Sequence, residues 1–175
     1  MKYMPNILIV KGSGRNVGKT VSACQIIRQL AESHAPVGIK ISPHFHRLDE
    51  KQKFIHFSPD FVIVEERNIN GKDSSRMLQA GAKKVFYIQA KNDYLPQAVE
   101  MVLQQINSIN PVVIESGGLY DFWEPGLLVY IEGEELKKES NIRPHSTVIR
   151  LSSGEAQNFD WKKVHFNNGK FTIDA

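Results

Sequence analysis

Cys24 is the only cysteine among 175 residues. A lone cysteine excludes an internal disulfide and suits a reducing compartment. No apolar run approaches the roughly 18 residues that a membrane-spanning helix needs. Residues 1–5, Met-Lys-Tyr-Met-Pro, do not have the form of a signal peptide. Charge is not concentrated either: the net charge is +3, the isoelectric point is near 8.9, and no Lys/Arg block reaches five residues. Nothing in that balance demands a nucleic-acid partner. Internal repeats and low-complexity tracts are missing too. These absences lead us to expect a cytoplasmic protein with no membrane and no nucleic-acid partner. Composition is ordinary, 41% hydrophobic and 23% charged. A chain of this length buries roughly 70% of its unfolded surface, enough for one domain over residues 1–175.

What stands out is the stretch Gly12-Ser13-Gly14-Arg15-Asn16-Val17-Gly18-Lys19-Thr20, placed directly after the apolar run Ile7-Leu8-Ile9-Val10. A strand feeding a glycine-rich turn that ends in Gly-Lys-Thr is the sequence form of a phosphate cradle. Glycines let backbone N–H groups turn inward around an anion. A helix opening near Gly18 would aim its free N–H groups at the phosphates. Lys19 would reach the β- and γ-phosphates, and the Thr20 hydroxyl would meet Mg²⁺. The strict pattern has glycine where Ser13 stands; with Gly12 in that role the loop is one residue longer. Val21 extends the candidate binding stretch into the helix.

The rest of the chain alternates strand and helix signals. Residues 6–11 read as a nearly all-apolar strand, 19–33 as a helix, and 37–41 as a second strand stopped by Pro43. Residues 53–57 suit a short edge strand and 61–65 a buried one. Residues 71–80 read as a short helix with Asp73 as N-cap and Gly81 after its end. A strand over 85–89 precedes an amphipathic stripe, Leu95, Ala98, Val99, Val102, Leu103 and Ile106. Residues 112–114 form a buried strand ending at Glu115. Strands over 127–131 and 147–151 flank a charged helical turn over 134–139. The tail, 163–173, carries the hairpin signal Asn167-Asn168-Gly169. The expected fold is α/β, a three-layer α/β/α P-loop NTPase fold with a mostly parallel sheet and a C-terminal β-hairpin. Ligands in such folds gather at the carboxyl ends of strands, where residues 11–20, Lys40 and Glu115 fall.

Glu115, followed by Ser116-Gly117-Gly118, is placed to organise Mg²⁺ or to pair with a lysine. Lys40 is a candidate for a phosphate or an anionic substrate, or a solvated strand-end lysine. Asp73 admits a helix-cap, a substrate or an Mg²⁺ role. His44 and His46 alternate along an extended segment, with His56 nearby; the spacing admits a metal pair or a polar loop. Cys24 reads as a small buried residue. Phe122 and Trp123 read as cover for the sheet, with base stacking as the alternative.

The loop over residues 12–20 resembles that of dethiobiotin synthetase, which has the same longer glycine spacing. Val37-Gly38-Ile39-Lys40 and Val113-Ile114-Glu115-Ser116-Gly117-Gly118 are similar to that family's second-strand lysine and glutamate segment. The resemblance implies that Thr20 and Glu115 bind Mg²⁺ and that Lys19 and Lys40 meet phosphates or substrate. Gly38-Ile39-Lys40, Gly71-Lys72-Asp73-Ser74-Ser75-Arg76 and Gln79-Ala80-Gly81-Ala82 resemble the MobB family of GTP-binding adaptors in molybdopterin-guanine dinucleotide biosynthesis, which are often dimeric. Together the matched segments span residues 6–118. No Asn/Thr-Lys-x-Asp guanine motif is present, so the base stays open between GTP and ATP.

The resemblances imply a Mg²⁺-dependent GTP- or ATP-binding protein, MobB-like, acting as a slow NTPase or an adaptor, with a cofactor-synthesis partner protein and a homodimer as its expected associations. Lys19 and Lys40 are the expected catalytic groups, and Thr20, Glu115 and Asp73 the expected metal ligands. Two alternatives stand beside this: an ATP-dependent ligase similar to dethiobiotin synthetase, and a nucleotide-gated binding module without catalysis.

Overall fold

Ile7, Leu8, Ile9 and Val10 have no solvent exposure, which a strand achieves only when both sheet faces are covered. In the computed structural model, which describes residues 1–135 and 141–175, they lie in strand β1 (Lys2–Gly12). Helix α1 (Lys19–Leu30) and strand β2 (Val37–Ser42) follow. Next come β3 (Lys53–Phe57), β4 (Phe61–Glu66), helix α2 (Asp73–Gln79) and β5 (Lys84–Ala90). Helix α3 (Leu95–Leu103), β6 (Val112–Glu115), β7 (Trp123–Glu132), β8 (Val148–Ser152) and helix α4 (Ser153–Asn158) lead to the hairpin strands β9 (Val164–Asn167) and β10 (Lys170–Ile173). The expected charged turn over 134–139 falls largely on residues 136–140, outside those described. Among the described residues no helix is long and apolar enough to cross a membrane.

Among the described residues the main sheet has eight strands, in the order β3-β4-β5-β2-β6-β1-β7-β8. Strands β5 to β8 along that order pair in parallel; β4 and β3 close one edge antiparallel. The sheet is thus mostly parallel, as the sequence predicts. Sequence order alone makes β1 and β2 look like neighbours, but β6 lies between them. Its register sets Glu115 opposite Val10 on one side and opposite Lys40 on the other.

Alternation along β1 divides the apolar residues between two cores. Leu8 and Val10 join α1, α2, α4 and the hairpin through Ile27, Met77, Ala156 and Phe171. Ile7 and Ile9 join α3 through Val99 and Val102 on the other side. The hairpin is antiparallel and turns through Asn168 and Gly169, whose φ values of 51° and 75° are those a type I′ turn requires. It is tied to α1: Trp161 Nε1 donates to Gln25 Oε1 (2.7 Å) and Gln29 Nε2 donates to the Val164 carbonyl (2.7 Å).

Several boundaries differ from the sequence reading. β1 begins at Lys2, because residues 2–4 pair with the start of β7 beyond a register shift. α1 stops at Leu30, where the His34 N–H returns to the Leu30 carbonyl (2.8 Å) and makes a turn. α3 ends at Leu103, leaving Ile106 partly buried in the next turn. Asp73 is not the N-cap of α2: Lys72 holds that position, and Asp73 sits in the first turn. The end of α2 is as expected, with Gly81 N–H on the Leu78 carbonyl (3.1 Å) and Ala82 N–H on that of Met77 (3.3 Å). Helix α4, absent from the sequence reading, opens on a capping box between Ser152 and Glu155.

The register shift of β1 brings the Pro5 carbonyl against β7. A Cβ on Gly126 would lie 2.1 Å from Pro5 O, a backbone atom that cannot rotate away. Gly126→Ala should therefore destabilise the protein by about 2–3 kcal/mol. A urea-denaturation midpoint unchanged from wild type would show that β1 and β7 separate there at no cost.

Candidate functional site

The loop between β1 and α1 is anchored at its first turn by β7. Ser13 N–H donates to the Ile131 carbonyl (3.0 Å), and Ser13 Oγ accepts from Gly133 N–H (2.8 Å). Gly12 leaves room for the buried Val17: a Cβ there would lie 2.7 Å from Val17 Cγ2. Asn16 (φ 56°) and Gly18 (φ 101°) are both left-handed, and Gly18 is the residue from which α1 starts. Glycine is suited to that conformation because it has no Cβ to clash. No side chain caps α1, and its first turn has no acidic residue. Its first N–H groups are thus offered to an external anion, with the positive end of the helix dipole behind them.

Lys19 is half-buried and its ammonium donates to the Gly14 carbonyl of its own loop. Burial, above all, pulls its pKa below the ordinary lysine value; Glu115 opposes this, Lys40 adds to it, and Asp73 opposes it. Thr20 Oγ1 donates to Glu115 Oε2 (2.8 Å), and Lys40 Nζ donates to Glu115 Oε1 (2.6 Å). The Glu115 side chain is only 3% exposed. Asp73 Oδ2 stands 3.5 Å from Lys40 Nζ, and Arg76 lies 3.6 Å from Asp73 Oδ1. β6, β2 and α2 thus contribute to one line of alternating charge, Glu115, Lys40, Asp73 and Arg76, and α1 adds the Thr20 hydroxyl at its buried end.

These groups line a cavity of about 420 Å³ at the carboxyl ends of the parallel strands, together with Arg15, Asn16 and Val21. A further opening of about 830 Å³ continues past Gly12, Ser13 and Gly14 towards residues 42–46 and 116–117. Arg15 reaches across it, its guanidinium 3.2 Å from His44 Nε2.

The structure brings together Gly12, Ser13, Gly14, Arg15, Asn16, Gly18, Lys19, Thr20, Val21, Lys40, Asp73 and Glu115. Val17 contributes packing instead, buried in the core. Val21, placed by its spacing on the apolar face of α1, is 41% exposed and faces the cavity. Among the described residues no group of three or more His, Cys, Asp or Glu is gathered to hold a metal. His44 and His46 have ring centroids 6.4 Å apart, while His56 stacks on Phe61 (4.2 Å). Cys24 is buried on α1, and desolvation raises its thiol above the ordinary value. Trp123 is buried in the core with Phe122 packed beside it, so these rings cover the sheet. Arg76 as a wall of the cavity was not anticipated; its position one helical turn after Asp73 is the signal for it.

Comparison with protein-family models gives no match, and neither does comparison with curated proteins or with solved structures.

The lowered pKa of Lys19 links the stability of the fold to pH. With its pKa lowered, the unfolded chain holds the proton more tightly than the folded one. Stability should therefore rise with pH as the solution passes from the folded value up towards 10.5. Lys19→Met should remove that slope and raise the Tm of the ligand-free protein. A lower Tm would assign Lys19 a structural role through its bond to Gly14.

Proposed function

We propose that the chain is a Mg²⁺-dependent nucleoside triphosphate-binding protein with a three-layer P-loop NTPase fold. In this reading it binds GTP or ATP and acts as a slow NTPase or adaptor of the MobB kind in molybdenum cofactor biosynthesis. The observation that carries the nucleotide reading is the uncapped start of α1 at left-handed Gly18, with Lys19 and the Thr20–Glu115 pair beside it. The loop N–H groups and Lys19 bind and orient the phosphates, and Arg15 adds charge from the exposed side.

The donor set suits Mg²⁺: a hydroxyl from Thr20 and a carboxylate from Glu115 are hard oxygens, and Mg²⁺ takes few protein ligands beside phosphate and water. Bound Mg²⁺ supplies neutralisation of charge on the phosphate oxygens. Asp73 stands behind Lys40, ion-paired to Lys40 and Arg76, and is the outer acidic group of the set. Slow turnover is supported by how the carboxylates are committed. Glu115 is held by Thr20 and Lys40, and Asp73 by Lys40 and Arg76, so neither is placed as a free base for water. A cofactor-synthesis partner protein and a homodimer belong to the MobB-like reading.

Calorimetric titration with non-hydrolysable GTP and ATP analogues, each with and without Mg²⁺, tests this. Lys19→Met should weaken binding by roughly 30- to 150-fold, as loss of a charge-assisted contact of about 2–3 kcal/mol implies. Unchanged affinity in the folded variant would remove the phosphate-loop assignment. Glu115→Gln should still bind nucleotide but lose the Mg²⁺ response; a persisting response makes Glu115 structural. Preference for GTP supports the MobB-like adaptor. Preference for ATP supports a ligase similar to dethiobiotin synthetase, a reading favoured by Lys40 lining a second cavity as well as the first.

A further inference from the structure

The sheet face that carries α2 changes character beside the first turn of the helix. Beneath α2 it is apolar, with Val85 against Met77 in the core. Further along the same face of β5 stand Tyr87 and Gln89, paired in register with Lys40 and Ser42 of β2. On β4 the register sets Val64 and Val62 beside them, while Glu66, level with Val85 at the end of β4, adds a carboxylate. The other face at this level is apolar: Phe86, Ile88, Ile41 and Ile63 lie in the opposite core. A face kept only for packing would be apolar on this side too. Instead Gln89 is 1% exposed and Glu66 4%.

These buried polar groups face a cavity of about 420 Å³, within the range of small-molecule sites. Its floor is fixed but has bonding capacity left. Glu66 accepts from Ser74 Oγ (2.9 Å) and from Asn68 N–H (3.1 Å), which hold the carboxylate in place. Gln89 donates one long hydrogen bond, to Tyr87 Oη (3.4 Å). Exposed cations, Arg47 and Lys72, stand at the rim. Lys40 and Asp73 belong to this cavity and to the one beside the phosphate loop.

We propose that this cavity is a second-ligand site for a small hydroxylated anion, a carboxylate or a phosphate. Its charged end meets Arg47 and Lys72, and its hydroxyls bond to Glu66 and Gln89. Apolar ligands are disfavoured, because they would make no use of the acceptor and donor positions that Glu66 and Gln89 still offer. The inference rests on the nucleotide-binding reading in one respect: it sets the ligand on the far side of Lys40 from the nucleotide. The recognition groups themselves are not those of the phosphate loop.

The test uses two probes, glycerol 3-phosphate and malate. Each is titrated calorimetrically into the full chain saturated with Mg²⁺ and the preferred non-hydrolysable nucleotide, so that the phosphate loop is filled. At least one probe should bind saturably. The Arg47→Ala/Lys72→Ala variant, changed only at exposed positions, should weaken that binding about tenfold or more, and so should Gln89→Leu, with nucleotide affinity held within about twofold. Binding of glycerol 3-phosphate alone assigns a phosphate ligand, and of malate alone a carboxylate. Binding that both variants leave unchanged, or no binding of either probe, overturns the proposal. If no nucleotide binds, the nucleotide reading falls by itself, and the same titrations on the ligand-free protein still decide the cavity.

Discussion

A carboxylate almost sealed from water at the centre of the sheet governs this molecule. Glu115 closes a strand of four buried residues, and a charge at that depth is tolerable only if partners reach it. They come from two elements far apart in sequence: Thr20 from the start of α1 and Lys40 from the end of β2. Both contacts depend on β6 lying between β1 and β2 with Val10, Glu115 and Lys40 at one level. Strand order, loop length and the start of α1 are thus linked through one side chain. A shift of β6 by one residue would turn Glu115 to the opposite face and strand both partners.

The surrounding site is built with little concession to stability. A twelve-residue helix begins without a side-chain cap or an acidic first turn, and a half-buried ammonium folds back on its own loop. Each is a local loss that a purely structural turn would avoid. The loop is held in place by the bonds of Ser13 to the end of β7 and by Gly12 against Val17, with no ligand needed to shape it.

Features written in neighbouring residues were legible in the sequence. The apolar run of β1, the glycine spacing after it, the helix that follows and the strand ending at Glu115 each declare themselves within a few positions. The edge strand β3, the end of α2 at Gly81 and the Asn168-Gly169 hairpin did so too. Pairings across long separations were not legible: β6 inserts between β1 and β2, and Asp73 faces Lys40 instead of capping its own helix. Helix α4 is too short to show a period, although its Ser152–Glu155 box stands in the sequence. Gln89 hides for another reason. A polar residue at the end of an apolar strand is unremarkable until the register shows Lys40, Ser42 and Tyr87 around it.

The chain order of the sheet bears on how the protein is made. β1 precedes every strand that it touches: its neighbours are β6 and β7, and β10 packs on it. Until β6 and β7 have been added, Ile7, Leu8, Ile9 and Val10 have no lasting sheet partner. The central strand must therefore wait, as a bare apolar segment, for strands far along the chain. The loop that follows β1 is complete only once Ile131 and Gly133, which hold Ser13, are in place.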